Sequence, residues 1–256
     1  RTMRELAESA GEVEGTGARP LSSLRLPASL QLASAGRDQP PVEVIDPAAI
    51  SSLPAPDAGD IFFDFEGDPL YTQGDGSVWG LDYLFGLVET DGTFRSFWAH
   101  DFSEEAAALR DFLGYLTHRR TQHPGMHVYH YASYERTHLA SLAIRHGFGE
   151  DIIDDLFREH VLVDLYPVVR SSIRVGTPSY SIKKLEPLYM GDDLRDDDGV
   201  TTAGDSIVEY SRAVEFRDGG DIAAFDRKLK DIEDYNAYDC RSTLRLNDWL
   251  RTLVTH

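Results

Sequence analysis

Ile61-Phe62-Phe63-Asp64-Phe65-Glu66-Gly67-Asp68-Pro69 is the stretch on which the reading of this chain turns. Apolar residues at 61, 62, 63 and 65 suit a strand at the centre of a sheet, covered on both faces, yet two carboxylates sit inside the run. Side chains alternate along a strand, so Asp64 and Glu66 project from the same face. Two ionised carboxylates held side by side on an apolar strand are costly unless something positive lies between them. Magnesium and manganese are the natural candidates, because hard divalent cations prefer carboxylate oxygen. Gly67-Asp68-Pro69 predicts that the strand stops at a turn, leaving an accessible rim. Taken alone, an Asp-x-Glu also fits the end of an edge strand facing water, so the rest of the chain has to decide.

The 256 residues hold 44 Asp and Glu against 25 Lys and Arg, a formal net charge of -19. That balance excludes a general basic footprint for nucleic acid. It leaves room for an enzyme that grips nucleic acid locally, through metal ions and a few Lys or Arg. A single cysteine, Cys240, allows no internal disulfide and suits a reducing cytoplasm. No apolar run approaches the length of a membrane span and no signal peptide is visible. Beginning at Arg1 without a methionine, the chain looks like a piece of a longer protein.

Residues 1–59 read as a linker or the remnant of a preceding domain. Thr2 to Ser9 suits a short helix, but Gly11 to Pro20 is rich in Gly and polar residues, and Pro40, Pro41, Pro47, Pro54 and Pro56 punctuate the remainder of the segment. Such a segment buries little of its own surface. Residues 60–256 read as one globular domain. After the Asp-x-Glu strand, apolar runs at 82–88 and 93–99 flank Glu89-Thr90-Asp91-Gly92, a hairpin signal that makes the first three strands an antiparallel meander. Ser103 is the expected cap of a helix reaching about Arg120, with Glu104 and Glu105 in its first turn and Leu109, Phe112, Leu113 and Leu116 at helical spacing. Residues 127–130 read as a fourth strand, 133–146 as a helix and 161–163 as a fifth strand ending at Asp164; this order implies parallel pairing through a right-handed crossover. Helices are expected at about 166–174, 181–189, 206–216 and 221–253. Between them, 191–204 is an acidic loop whose Asp192, Asp193, Asp196, Asp197 and Asp198 lack the spacing of a calcium loop and read as solvated.

Three strands, a helix, then strand, helix and strand is the order of an RNase H-like sheet: an α/β fold whose mixed five-stranded sheet is flanked by helices, with the first strand central. Tyr235-Asn236-Ala237-Tyr238-Asp239 puts Tyr235 and Asp239 at i and i+4 on one helix face, where a late helix could meet the first strand. His130-Tyr131-Ala132-Ser133-Tyr134-Glu135 places an acid at a strand-to-helix junction, on the sheet edge expected to hold Asp64. Together these residues resemble the three exonuclease motifs of the DEDD superfamily in its tyrosine-bearing subgroup. The resemblance is closest to the RNase H-like domain of RecB-family nucleases. It is carried by Val128-Tyr129-His130-Tyr131-Ala132-Ser133-Tyr134-Glu135, Val163-Asp164-Leu165-Tyr166 and Ser179-Tyr180-Ser181-Ile182-Lys183-Lys184-Leu185-Glu186, and it spans roughly residues 60–253.

The resemblance implies that Asp64, Glu66, Glu135 and Asp239 hold two divalent ions, magnesium or manganese, and that Tyr235 orients the attacking water. Glu135 stands where the superfamily usually has Asp. The implied activity is phosphodiester hydrolysis of DNA or RNA from the 3′ end of single strands, beside RecB-type nuclease and helicase regions of the same protein. Arg170, Arg174, Lys183 and Lys184 are the candidates for phosphate contacts, with solvated helix charges as the alternative. Asp164 is a candidate supporting residue. His118, His123, His127, His130 and His138 are read as core and surface histidines rather than a zinc cluster, since 127 and 130 would face opposite sides of a strand. Cys240, without an evident His partner, is read as a packed helix residue. The rival reading is a non-catalytic RNase H-like module serving a larger nuclease or helicase.

Overall fold

The computed structural model describes residues 2–8, 18–195 and 200–254. In chain order come helices α1 (Met3–Glu8) and α2 (Ala18–Ala33), strand β1 (Val42–Val44), helix α3 (Pro47–Ser51) and strands β2 (Ile61–Thr72), β3 (Trp79–Glu89) and β4 (Phe94–Trp98). Helix α4 (Phe102–Gln122), strand β5 (Val128–His130), helices α5 (Tyr134–His146) and α6 (Glu150–Arg158), and strand β6 (Leu162–Asp164) follow. The remainder is α7 (Leu165–Ser172), β7 (Ile173–Val175), α8 (Ile182–Leu185), α9 (Ala203–Asp218) and α10 (Ile222–Thr252). The chain divides into two compact units, one made of Pro54–Leu165 and Arg195–Leu244, the other of Arg1–Leu53, Tyr166–Leu194 and Arg245–His256.

The larger unit is a five-stranded mixed sheet in the order β4-β3-β2-β5-β6, flanked by helices. β2 is central, antiparallel to β3 and parallel to β5, and β5 is parallel to β6. Its sequence explains its place: Ile61, Phe63 and Phe65 enter a core with Phe85, Leu87 and the α4 residues Leu109, Phe112 and Leu116. Phe63 stacks on Phe112 at 4.5 Å between ring centroids. A second cluster joins Leu81, Tyr83 and Leu84 of β3 to Tyr210 of α9 and Ile232 of α10, with Tyr83 and Tyr210 stacked at 3.9 Å. A central strand covered by two such layers has to be apolar almost throughout, which is what makes its carboxylates stand out.

Several elements differ from the sequence-based expectation. β2 does not stop at Gly67 but continues to Thr72, with register shifts against β3 between Glu66 and Gly67 and between Asp68 and Thr72. The glycine is what permits this, since a Cβ there would lie 2.7 Å from Asp82 Oδ1 and 3.1 Å from the Leu81 carbonyl; the shifts absorb Pro69, which cannot donate to a ladder. Asp101, not Ser103, caps α4, accepting from the Glu104 amide at 2.8 Å. The amphipathic α6 was not expected; its Ile153 and Leu156 join the core. The helix expected over 181–189 is broken into α8 and a 3₁₀ turn at Glu186–Leu188, where Pro187 offers no amide to continue the α-helical ladder.

In the smaller unit, β1 pairs antiparallel with β7, Val42 opposite Val175 and Val44 opposite Ile173. The Gln31 amide donates to the Thr177 carbonyl at 3.0 Å and the Gly176 amide to the Pro41 carbonyl at 2.9 Å. Residues before Asp60, expected as a linker or the remnant of a preceding domain, contribute α2 and β1 to this unit, and the strand β7 interrupts a region expected to be helical. β1 lies in a Pro-punctuated segment and β7 directly follows a helix, so neither stands out as a strand of its own. The Gly11–Gly17 stretch and Asp196, Asp197 and Asp198 of the acidic loop lie outside the described residues.

Gly86 of β3 lies under α10, where a Cβ would overlap the Asn236 amide and sit 3.2 Å from the Phe94 ring. Asn236 is fully buried and cannot swing aside. Gly86→Ala should therefore lower stability by about 1–3 kcal/mol, read as a lower urea midpoint with an unchanged m-value. A midpoint equal to the parent's would mean that the helix does not bear on this glycine.

Candidate metal centre

Asp64 and Glu66 reach the same side of β2, and Asp239 descends on them from α10, so that oxygens of the three carboxylates lie within 4.8 Å of one another. Local packing brings the helix there. The Asn236 amide donates to Asp64 Oδ2 at 2.9 Å, and the Cys240 thiol donates to the Gly86 carbonyl at 3.3 Å. Residues 236 and 240 thereby press one face of α10 onto the strand pair, and Asp239, next to Cys240, is delivered to the strand carboxylates. Tyr235, one helical turn before Asp239, is buried on the rim of the same cleft.

Glu135 arrives from a third direction, in the first turn of α5, buried and on the border of the same cleft. The turn before it is held by Ala132, a non-glycine residue at φ 74°, whose amide donates to Asp164 Oδ1 at 2.8 Å. His130 Nδ1 lies 2.7 Å from the Ala132 carbonyl and 3.2 Å from Glu135 Oε2. Asp164 and His130 thus brace the turn from which Glu135 is presented. A left-handed alanine is sparsely populated, and its survival here is the work of those bonds.

The electrostatics are those of crowded acids. Burial holds the Asp64 carboxyl well above its ordinary range, and the charges of Glu66, Asp239 and Glu135 add to the effect. Burial likewise pushes the Tyr235 phenol up, followed by Asp239, Glu66 and Asp64, so that it keeps its proton at neutral pH. The Cys240 thiol is raised by burial and by the same carboxylates, which leaves it unreactive and packed. Among the described residues, Arg195 answers the acids from within the chain: its Nη2 lies 2.5 Å from Asp239 Oδ1, with the guanidinium 4.4 Å from the centre of the Tyr238 ring and 5.5 Å from that of Tyr235. Hard oxygen donors in a tight cluster, one of them forced toward protonation by its neighbours, are a donor set that fits magnesium or manganese.

The centre opens into a cleft of about 600 Å³ bordered by Asp64, Glu66, Glu135, Tyr235 and Asp239, so the five residues expected from the sequence share one cavity. Arg170, Arg174, Lys183 and Lys184 belong to the smaller unit, whereas the cleft is lined from the larger one. Arg170 lies over the Tyr180 ring at 4.7 Å, and Arg174 donates to the carbonyls of Arg170 and Ile173. Residues that sequence reasoning missed are Asn236, Arg195 and Asp82, together with the pairing of Asp82 to His138, a residue that the sequence reads only as a core or surface histidine. Asn236 lies inside the Tyr-x-x-x-Asp phrase and could have been found as its i+1 neighbour; the other three carry no local signal. Asp82 and His138 pair through contacts of 2.8 and 2.9 Å on the cleft wall.

Residues 61–251 match the family RNase_H_2, described as the RNase_H superfamily. No curated protein and no solved structure matches the chain.

The raised Asp64 carboxyl has a consequence for stability without metal. A carboxyl that holds its proton more tightly in the folded state favours folding fully below its ordinary value of 3.8, and that contribution is lost as pH rises through the raised value. In chelator, Asp64→Asn, which keeps an acceptor for Asn236, should melt several degrees above the parent at neutral pH, and the gap should widen with rising pH. A gap that shrinks as pH rises, measured by thermal melts, would contradict the assigned repulsion.

Proposed function

The chain belongs to the RNase H superfamily, and from that premise we propose that it is a two-metal nuclease that removes nucleotides from the 3′ end of single-stranded DNA or RNA. The observation that supports this most is the convergence of Asp64, Glu66 and Asp239 within 4.8 Å, with Glu135 on the border of the same cleft. These four carboxylates would hold two magnesium or manganese ions. Bound there, such ions supply charge neutralisation for the phosphate and a lowered pKa for the attacking water.

The chain's own groups have distinct tasks in this reading. Tyr235, whose phenol retains its proton, is a hydrogen-bond donor at the cleft wall and orients the water. Asn236 fixes the rotamer of Asp64, and His130 does the same for Glu135. Arg195 holds Asp239 in place and is the nearest guanidinium to the centre among the described ion pairs. We further assign the chain to the tyrosine-bearing DEDD subgroup, in its RecB-family branch, working in the cytoplasm beside nuclease and helicase regions of a longer protein. Phosphate contacts by Arg170, Arg174, Lys183 and Lys184 are part of this proposal.

Asp64→Ala and Asp239→Ala should each abolish manganese-dependent cleavage of an end-labelled single strand while leaving the circular dichroism spectrum unchanged. Cleavage by either at the parent's rate would remove the proposed centre, and an inactive parent would favour the non-catalytic module.

Glu135 decides whether the centre is tuned or decayed. If the longer side chain is a working ligand, Glu135→Asp should slow cleavage at saturating manganese by about 10-fold or more, and Glu135→Gln should slow it further. A Glu135→Asp variant faster than the parent would mark a decayed site.

A further inference from the structure

His138 borders the cleft, half-buried, and its ring is fixed from two sides. Nδ1 lies 2.9 and 2.8 Å from the two oxygens of Asp82, and the ring stacks on Tyr134 at 3.7 Å and 20°. A carboxylate accepts, so Nδ1 carries the hydrogen between them. That leaves Nε2 as the working nitrogen, and it has no partner among the described residues. Asp82 is buried and anchored in turn: its amide donates to Glu105 at 2.7 Å, and Arg145 Nη1 holds that carboxylate at 2.8 and 2.7 Å. A buried carboxylate that orients one nitrogen of an accessible imidazole fixes where the other can act.

The pair stands close to the acids of the centre. Glu135 and His138 are at i and i+3, on one face of α5. A Cβ on Gly67, the residue after Glu66, would lie 2.7 Å from Asp82 Oδ1 and 3.1 Å from the Tyr134 hydroxyl, so the two groups that hold His138 lie against the strand that carries the carboxylates. Burial, followed by the charges of Asp82, Glu66, Asp64 and Glu135, holds the Tyr134 phenol above its ordinary range, which places the ring against His138 in the field of the centre. The charged and titratable groups around the imidazole are thus Asp82 from β3, Glu66 from β2, and Tyr134 and Glu135 from its own helix, with Arg145 already paired to Glu105. Breaking a phosphodiester leaves charge on a sugar oxygen, which has to gain a proton. Among the described residues that border the cleft, His138 is the one imidazole, the side chain suited to giving up and regaining a proton near neutral pH.

We infer that His138, oriented by Asp82, gives the leaving 3′ oxygen its proton, an assignment that rests on the nuclease reading. The water oxygen bonds to phosphorus and sheds a proton to solvent. The bond between phosphorus and the 3′ oxygen breaks with its electron pair on that oxygen, which takes the proton of His138 Nε2. The neutral imidazole, still donating through Nδ1 to Asp82, recovers a proton from solvent. Asp82 is a positioning residue in this step, acting only through the ring.

The test measures single-turnover cleavage by the full chain, in manganese, of two oligothymidylates that are identical except that sulfur replaces the 3′ oxygen of the last linkage in one. A thiolate leaves without being protonated, whereas an alkoxide does not. His138→Gln, whose amide can still donate to Asp82, should slow the ordinary strand by about 100-fold or more and leave the sulfur-linked strand close to the parent's rate. Asp82→Ala, which unties the ring, should show the same selective loss. Equal slowing of both strands by His138→Gln, or no slowing of either, would overturn the proton donor and leave the nuclease reading standing. A parent chain that cleaves neither strand would remove the nuclease reading and the donor together.

Discussion

Everything at the centre depends on one close approach: Asn236 of α10 against the bare backbone of Gly86. Carboxylates repel one another, and left to themselves Asp64, Glu66 and Asp239 would part. They are held together because the helix is docked through its neighbours at 236 and 240, in a contact whose energy comes from packing and hydrogen bonding and not from the acids. The geometry is fixed first and the charges endure it, the usual relation between a preformed site and the strain it carries.

The same economy recurs away from the centre. Acids that would be ordinary surface charges in a less acidic chain are turned inward and used as ties. Glu89 at the end of β3 holds both Arg95 and Arg119, and its carboxyl is kept below the ordinary range by those two guanidinium groups against the opposing effect of burial. Asp60 accepts the His127 amide at 2.7 Å and the Asp57 amide at 2.9 Å, joining the start of β2 to the approach to β5. Such pairs add little when intact but are costly to break from one side, because the remaining charge is left buried.

Much of the sheet was legible because its signals are local. The apolar run of β2, the Asp91-Gly92 hairpin and the helical spacing in α4 each lie within a dozen residues. The carboxylates were legible for the same reason, since Asp-x-Glu on a strand and Tyr-x-x-x-Asp on a helix are periodicities. What was not legible depends on distant partners. Asp82 gains meaning only from His138, and Arg195 only from Asp239. β1 and β7 gain meaning only from each other, since their pairing joins segments far apart in the chain. The extension of β2 beyond Gly67 looked like a turn because Gly-Asp-Pro usually is one, and only pairing with β3 carries the strand through it.

Arg195 separates the folding of this protein from the binding of an ion. Small zinc domains are unfolded until loaded, so their metal and their structure come and go together. Here a guanidinium from the chain already sits on Asp239, and an amide on Asp64, so two acids of the cluster have partners before any ion arrives. Folding and loading are thereby separated. A chain built this way can be synthesised, folded and kept intact in an ion-poor setting, because the acids that would draw an ion are already held by their own neighbours.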